Sequence, residues 1–331
     1  MAHMVDRMMY SGLVPWHGLG DYQKEITFED ARKVLCNVSE RPITFMSADN
    51  GDVPVEGYKA IVRDDTGAAL CVQKESYGTL QYIDQLDVLN AAAGDGALRL
   101  KTVGLLDGGR QAFALADIPS AQFEVAGSVV LPYLLMSTSH DCSRLLRYLF
   151  TGTYVVCANT VAAALHNAGI GAKTRYIPNV IQIKHTSRAY ERVTVAKELV
   201  AQARAYFGTF NEVALRLVNQ RISFADMTRL TAQLFPITDA QAETFKKYGE
   251  ESSSHKAQAK VLRLFSGDQR ARENAPGTKW AAYNAVTEYI DHHTAPRGQT
   301  ARAVAESRFQ RIMFESGAKV REEALSLLLA A

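Results

Sequence analysis

The hydrophobic pattern of this chain changes its period along the sequence, and this change restricts the fold more than any other feature. Between Tyr58 and Val156, β-prone residues occur in short runs separated by turns that contain Asp and Gly. After Pro178, apolar residues recur every three or four positions, which is typical of amphipathic helices. Strands and helices do not alternate as a doubly wound nucleotide-binding fold requires, so the pattern predicts an α+β protein.

Strand-forming segments dominate the first half of the chain. Two hairpins are predicted because Asp and Gly supply the tight turns: Tyr58–Arg63 with Ala68–Val72, and Arg99–Leu106 with Arg110–Asp117. Two helices are predicted, from Thr27 to about Val38 and over Ile83–Ala93. Three further strands and a short helix follow: Gln122–Ala126, Val130–Ser137 and Arg147–Val156 as strands, and Val161–Asn167 as the helix.

The second half is predicted to be helical. Its expected helices are Ser187–Asn219, Ser223–Leu234, Asp239–Lys247, Lys256–Phe265, Lys279–Asp291, Thr300–Phe314 and Ala318–Ala330. The polar segment Glu250–Ser254 is predicted to be an internal linker. We therefore expect an antiparallel sheet with covering helices, followed by a mostly helical C-terminal half. The expected segments are an N-terminal segment (1–40), an α+β core (41–186) and a helical region (187–331).

The composition is that of a cytoplasmic globular protein. Of the 331 residues, 47% are hydrophobic, which allows a sizeable core. No stretch approaches the roughly 20 apolar residues of a membrane span, and the first residues do not resemble a secretory leader. The cysteines are too widely spaced for a zinc cage or a disulfide framework, which favours reduced thiols: Cys36, Cys71, Cys142 and Cys157. We expect a cytoplasmic location and no cofactor.

The net charge of +2 conceals a marked asymmetry between the two parts of the chain. Residues 1–140 contain 11 Lys or Arg and 18 Asp or Glu, whereas residues 141–331 contain 26 and 17. Between Asp141 and Tyr206 there are nine bases and three acids. A basic block of this kind can attract a polyanion.

Catalytic signatures are weak in this sequence. The two common glycine-rich phosphate-binding patterns, Gly-x-x-x-x-Gly-Lys-Ser/Thr and Gly-x-Gly-x-x-Gly between a strand and a helix, are both absent from the sequence. The pair His140-Asp141 could form a nucleophilic dyad with Cys142 or Ser143, although a polar turn between strands is the favoured explanation. Asp291-His292-His293 matches a phosphoesterase tripeptide, but histidines at a predicted helix C-terminus also suit the helix dipole. An enzyme that uses these residues therefore remains an alternative.

A nucleic-acid surface is the favoured interpretation of the basic block. Single-strand binding needs cations for phosphates and aromatic faces for unstacked bases. The residues expected to bind phosphates are Arg144, Arg147, Lys173, Arg175, Lys184 and Arg188. Tyr148 and Tyr154 are expected to stack on bases, and Asn159 and Thr160 to shape a helix start that could also face a phosphate. Neutralising about four to six phosphates would give a log-affinity slope of roughly −3 to −4 against log salt.

Several segments together resemble the phage- and plasmid-like proteins built on the domain of unknown function 932. They are Met1-Ala2-His3, Pro15–Gly20, Pro132–Leu135, Val155–Thr160, Gly277–Trp280 and Tyr283–His292. The chain departs from the family pattern at Tyr154, where a basic residue is common, and at Gly127-Ser128, where Gly-Asp is common. The resemblance implies a phage or plasmid context and no particular activity.

The predicted order of elements is also similar to that of the Rad-fifty-two-like single-strand annealing proteins of phages, a likeness of architecture alone. Combined with the basic block, it favours an oligomeric single-stranded DNA-binding protein that promotes annealing in recombination or replication. Two alternatives remain open: an enzyme acting on nucleic acid or nucleotides, and a non-catalytic phage–host interaction protein. The sequence alone does not distinguish DNA from RNA as the ligand.

Overall fold

The computed structural model describes residues 5–12, 19–93, 96–141, 143, 145–154, 159–160, 180–183, 198–268, 275–294, 300, 303–304, 307 and 317–330. The predicted α+β class is confirmed, with sheets in the N-terminal half and mostly helices in the C-terminal half. Within these ranges, no helix combines the length and the apolar content needed to cross a membrane.

The described strands are β1 Val5–Ser11, β2 Asp21–Gln23, β3 Val38–Ser47, β4 Gly51–Arg63, β5 Ala69–Lys74, β6 Arg99–Leu106, β7 Gln111–Asp117, β8 Phe123–Val125, β9 Ser128–Ser139, β10 Leu146–Tyr154, β11 Asn159–Thr160 and β12 Val180–Ile183. Both predicted hairpins are confirmed as the antiparallel pairs β4–β5 and β6–β7. Strands β1, β2 and β3 were not predicted. The polar, exposed faces of β2 and β3 weaken the alternating pattern that would have indicated them.

The described helices are α1 Phe28–Val34, α2 Tyr82–Ala92, α3 Leu199–Val218, α4 Phe224–Leu234, α5 Asp239–Tyr248, α6 Ser253–Arg263, α7 Lys279–Glu288 and α8 Gly317–Ala330. Helix α1 begins after the predicted cap Thr27, whose hydroxyl accepts from the Asp30 amide. It ends at Val34 rather than Val38 because Val38 begins β3. Single π-helical segments continue α6 and α7, over Leu264–Asp268 and Tyr289–His293.

The chain divides into two compact units. Unit 1 comprises Met1–Ser120, Tyr133–Phe150 and Val180–Arg204, and unit 2 comprises Ala121–Pro132, Thr151–Asn179 and Ala205–Ala331. This division differs from the predicted segments 1–40, 41–186 and 187–331. In particular, β1 pairs with β6, so Val5–Ser11 of the predicted N-terminal segment shares a sheet with the core.

Unit 1 is built on a sheet in the order β10-β9-β7-β6-β1-β2, with β12 paired to β10. The pair β1–β2 is parallel, while β1–β6, β6–β7, β7–β9 and β10–β12 are antiparallel. Helix α1 packs against β6 and α2. The central strands are buried through Val103, Leu105 and Phe113, whose transfer from water stabilises this layer.

A second sheet of unit 1 has the order β3-β4-β5. Arg63, at the end of β4, is only 5% exposed. Its guanidinium donates to Asp65 at 2.6 Å, to Asp6 at 2.7 Å and to the carbonyl of Gly108 at 3.0 Å. This one side chain therefore joins β1, the β4–β5 turn and the β6–β7 turn.

Unit 2 is centred on α7, in which all ten residues are buried. Helices α6 and α8 pack against α7, and α4 packs against α6 and α8. Just after α7, the carboxylate of Asp291 accepts from Arg321 of α8 at 2.8 Å, with both side chains almost fully buried. The predicted helix Thr300–Phe314 lies mostly outside the described residues.

Candidate nucleic-acid interface

The ten residues predicted to bind nucleic acid differ in how far the structure describes them. Five lie outside the described residues: Arg144, Lys173, Arg175, Lys184 and Arg188. Three are described by their position in a strand only: Tyr154 in β10, and Asn159 and Thr160 in β11. The remaining two, Arg147 and Tyr148, have described side chains. The predicted surface as a whole therefore stays a prediction.

Tyr148 is a core residue, which corrects its predicted role in stacking on bases. The side chain is 0% exposed, and its hydroxyl donates to the carbonyl of Gln85 at 3.3 Å. Burial raises the pKa of this phenol well above its ordinary value. Leu146, Tyr148 and Phe150 occupy one face of β10 and are all buried, as the two-residue period of a strand requires. A base cannot reach the ring in this arrangement.

Arg147 lies on the opposite face of β10 and is half-buried. Its partner across the sheet is Gln182 of β12. The Nε atom of Arg147 is buried and has no hydrogen-bond partner among the described residues. Arg147 and Tyr148 are the two predicted residues with described side chains. Of these, Arg147 is the one whose half-buried position is compatible with phosphate binding.

Asn159 and Thr160 form β11, which pairs with the end of β10 through Thr153↔Thr160 and Tyr154↔Asn159. Strand β11 lies against α7. The helix predicted over Val161–Asn167 falls outside the described residues, so a role in capping that helix is untested. Described parts of two segments of the family resemblance, Asn159-Thr160 and Tyr283–Glu288, thus meet in unit 2.

The alternative catalytic residues occupy structural positions. His140 is fully buried, and its ring lies 4.3 Å from that of Tyr82 between centroids. Asp141 accepts from the amide of Ser143 at 2.9 Å, as in a polar turn, while Cys142 lies outside the described residues. In the described ranges, no group of three or more His, Cys, Asp and Glu could hold a metal ion.

Asp291-His292-His293 lies in the π-helical segment that follows α7. The Asp291 carboxylate is paired with Arg321, and the Nε2 atom of His293 lies 3.5 Å from a carboxylate oxygen of Glu288. The pair Asp291–Arg321 thus joins the end of α7 to α8, while the His293–Glu288 contact lies within α7 and its π-helical continuation. The described geometry therefore adds no support for the phosphoesterase interpretation.

The described residues contain a different surface that combines bases with aromatic side chains. We call it the α5–α6 surface; its members are Phe245, Lys247, Tyr248, His255, Lys256, Lys260 and Arg263. Phe245 and Tyr248 are 41% and 64% exposed. All seven residues belong to unit 2.

The cations of helix α6 lie along one side of the helix. Lys256, Lys260 and Arg263 follow one another at intervals of four and three residues, a spacing that places them on one helical face. The apolar face, formed by Ala257, Val261 and Leu264, is buried instead. Helix α6 contains no acidic residue, and none of the three cations has a carboxylate within 4 Å among the described residues.

The aromatic side chains come from the end of α5 and meet the start of α6. The rings of Phe245 and His255 are stacked with centroids 4.7 Å apart. The ammonium group of Lys247 lies 5.0 Å from the centroid of the Tyr248 ring, which is within the range of a cation–π interaction. In contrast, Lys246 is paired with Glu243 at 2.9 Å and is not counted in the surface.

Capping interactions fix this junction between the two helices. Gly249 ends α5 with a φ of 69°, a left-handed conformation that glycine adopts without strain. Ser252 begins α6 in a capping box with His255. The predicted linker Glu250–Ser254 is therefore shorter than expected, because Ser253 and Ser254 are helical. Its acids Glu250 and Glu251 border the α5–α6 surface and limit its positive charge on that side.

Sequence reasoning missed the α5–α6 surface although its signal was present. The local excess of bases is greatest in Asp141–Tyr206, so the sequence pattern favours that segment instead. In α6, the three cations on one face are separated by uncharged residues, so the local charge density is lower. A test of cation spacing at three and four residues would have identified them.

Comparison with known proteins identifies one family. The family model described as "Domain of unknown function (DUF932)" matches residues 69–313. The match includes α2 through α7, with the α5–α6 surface inside it. Searches of curated proteins and of solved structures found no match.

Proposed function

The chain belongs to the DUF932 family, and from this premise we propose that it is a cytoplasmic single-stranded DNA-binding protein. In this proposal the protein acts as a homo-oligomer that promotes annealing in phage or plasmid recombination or replication. The proposal depends on one observation: the α6 cations lie on one helical face, and the start of the same helix is stacked through His255 on the exposed Phe245 of α5.

The spacing of the α6 cations supports contact with a phosphate backbone. One turn of an α-helix rises about 5.4 Å, so Lys256, Lys260 and Arg263 present positive charges at successive turns. Without a carboxylate within 4 Å in the described part of the chain, these charges can interact with an external anion. Binding of this kind releases counterions and depends strongly on salt concentration.

The aromatic residues of the α5–α6 surface supply rings on which bases can stack, which cations alone do not provide. Tyr248 exposes nearly two thirds of its surface at the end of α5, where a base can stack on its ring. Each base that stacks on an aromatic ring contributes about 1–3 kcal/mol with little dependence on sequence. Stacking requires unpaired bases, so this surface favours single strands over duplexes.

Annealing requires that a bound strand keep its base-pairing edges accessible. No residue of α5 is buried, and the α6 cations face outward, so the α5–α6 surface is an open helical face. A strand held by its phosphates and by occasional stacking leaves its other bases free to pair. The six cations predicted on the basic block, Arg144, Arg147, Lys173, Arg175, Lys184 and Arg188, would add further phosphate contacts.

Fluorescence anisotropy with a labelled oligonucleotide tests this proposal. Single- and double-stranded forms of the same sequence are compared at two salt concentrations without added metal. We expect tighter binding of the single strand and weaker binding at the higher salt concentration. Equal affinity for both forms, or an affinity that does not change with salt, would contradict the proposal.

A further inference from the structure

The start of α7 lies beside the segment that follows α3, and this arrangement collects three basic residues. The amide of Lys279 donates to the carbonyl of Gln220 at 2.8 Å, and the amide of Ile222 donates to Gly277 at 3.2 Å. Arg221 forms a β-bridge with Thr278 between these two bonds. Arg216 lies one helical turn before Gln220 in α3. Arg216, Arg221 and Lys279 therefore converge at one end of α7.

Lys279 is the unusual member of this group. It is 8% exposed, and within the described ranges it forms no hydrogen bond or ion pair through its ammonium group. Burial lowers the pKa of Lys279, and the nearby guanidinium of Arg216 lowers it further. A largely buried lysine near another cation is unfavourable unless an anion compensates.

The surrounding residues leave these cations available for an external anion. The Nη1 atom of Arg221 donates to the Pro276 carbonyl at 2.6 Å, which positions the guanidinium and leaves further N–H groups. The carboxylate of Asp226 raises the pKa of Lys279, but this effect is smaller than the two that lower it. Its carboxylate, however, accepts from Ser223 and pairs with Arg229.

The backbone geometry at the start of α7 also favours an anion at this position. Gly277 has a φ of 70°, and a Cβ atom there would lie 3.1 Å from the Nη1 atom of Arg221. Glycine thus permits the close approach of Arg221 to the helix start. The positive end of the α7 dipole favours negative charge at this position.

We propose that Lys279, Arg216 and Arg221 bind a phosphoryl oxyanion at the start of α7. Arginine matches phosphate oxygens with paired N–H groups, and a lysine ammonium adds a compact point charge. Thr278 already caps the helix by accepting from the Ala281 amide at 3.2 Å, so the side chains supply most of the contacts. This site is separate from the α5–α6 surface and does not depend on the proposed function.

Two sources of phosphoryl groups fit this chemistry. One is a phosphate of a nucleic-acid backbone, and the other is a small molecule such as inorganic phosphate or a mononucleotide. Both would contact the same three cations. If the ligand is a backbone phosphate, loss of the site should also weaken binding of an oligonucleotide. If the ligand is a small molecule, binding of an oligonucleotide should not change.

Calorimetric titration with inorganic phosphate at constant ionic strength tests the site in the full chain. We expect one saturable site per chain, with affinity at least tenfold weaker in Lys279→Gln and in Arg216→Gln. Arg216 is exposed, so its variant remains informative if Lys279→Gln fails to fold. Lys319→Gln, an exposed change on α8, is the matched control and should bind phosphate like the unmodified protein.

The same variants are then titrated with a labelled oligonucleotide. A parallel loss of oligonucleotide affinity supports a backbone phosphate as the ligand, and an unchanged affinity supports a small phosphoryl compound. Absence of a saturable phosphate site in the unmodified protein would overturn the proposal. Unchanged phosphate affinity in both Lys279→Gln and Arg216→Gln would also overturn it.

Discussion

The ring of Phe245 stacks on the imidazole of His255, with 4.7 Å between centroids and 29° between planes. This contact holds the end of α5 against the start of α6, where His255 also closes the capping box of Ser252. It therefore sets the position of the exposed Tyr248 relative to the α6 cations. The arrangement leads to predictions about binding and about the stability of each unit.

Replacing Tyr248 with Ala should weaken oligonucleotide binding by about tenfold, because loss of one stacking contact costs about 1–3 kcal/mol. The thermal midpoint should change little, since the side chain is 64% exposed. Tyr22, which is 60% exposed in unit 1, provides the control Tyr22→Ala. Anisotropy titration measures both variants, and equal effects would show that Tyr248 has no special role.

Tyr148 should behave as a core residue in solution. Tyr148→Ala should lower the free energy of unfolding by about 3–5 kcal/mol, as large aromatic truncations in cores do. Tyr148→Phe removes one hydrogen bond to Gln85 and should cost about 1 kcal/mol. Urea unfolding measures both changes. If Tyr148→Phe left stability unchanged but weakened oligonucleotide binding, the buried placement of the ring would be wrong.

The Asp291–Arg321 pair should be sensitive to the loss of one partner. Both side chains are at most 3% exposed, and removal of one partner of a buried pair costs about 3–5 kcal/mol because the other charge stays uncompensated. Arg321→Met should therefore destabilise the protein strongly. The double variant Arg321→Met with Asp291→Leu should recover much of the loss in a urea titration. A double variant less stable than either single variant would contradict this interpretation.

The Arg63 network should make stability depend on pH in the acidic range. The hydrogen bond from Arg63 lowers the pKa of Asp65, so this carboxylate stabilises the fold above its unfolded pKa of about 3.9. That contribution is lost as the pH falls through the lowered folded pKa. The free energy of unfolding should thus decline below about pH 4, and less steeply in Asp65→Asn. If the free energy of unfolding fell equally steeply below pH 4 in Asp65→Asn and in the unmodified protein, Asp65 would make no such contribution.

The sequence predicted the central hairpins and most C-terminal helices because their turns and apolar periods are local. Asp107-Gly108-Gly109 marks a turn whatever surrounds it, and Ser223 caps α4 through its immediate neighbours. Strand β3 was missed because its pairing with β4 is a tertiary property and most of its side chains are exposed. The candidate site was harder to predict for a similar reason. Tyr148 and Tyr248 are both tyrosines near basic residues, and only packing shows that the first is buried and the second exposed.

The salt dependence of binding tests the central claim most directly. The triple variant Lys256→Gln, Lys260→Gln and Arg263→Gln is compared with the control Lys24→Gln, Lys74→Gln and Lys319→Gln, which removes the same charge from exposed positions elsewhere. Each phosphate contact contributes about −0.7 to the slope of log affinity against log salt for single strands. If the α6 face binds the backbone, its triple variant should have a slope shallower by about 2, while the control keeps the slope of the unmodified protein. An unchanged slope in the α6 variant, or an equal change in the control, would contradict the account.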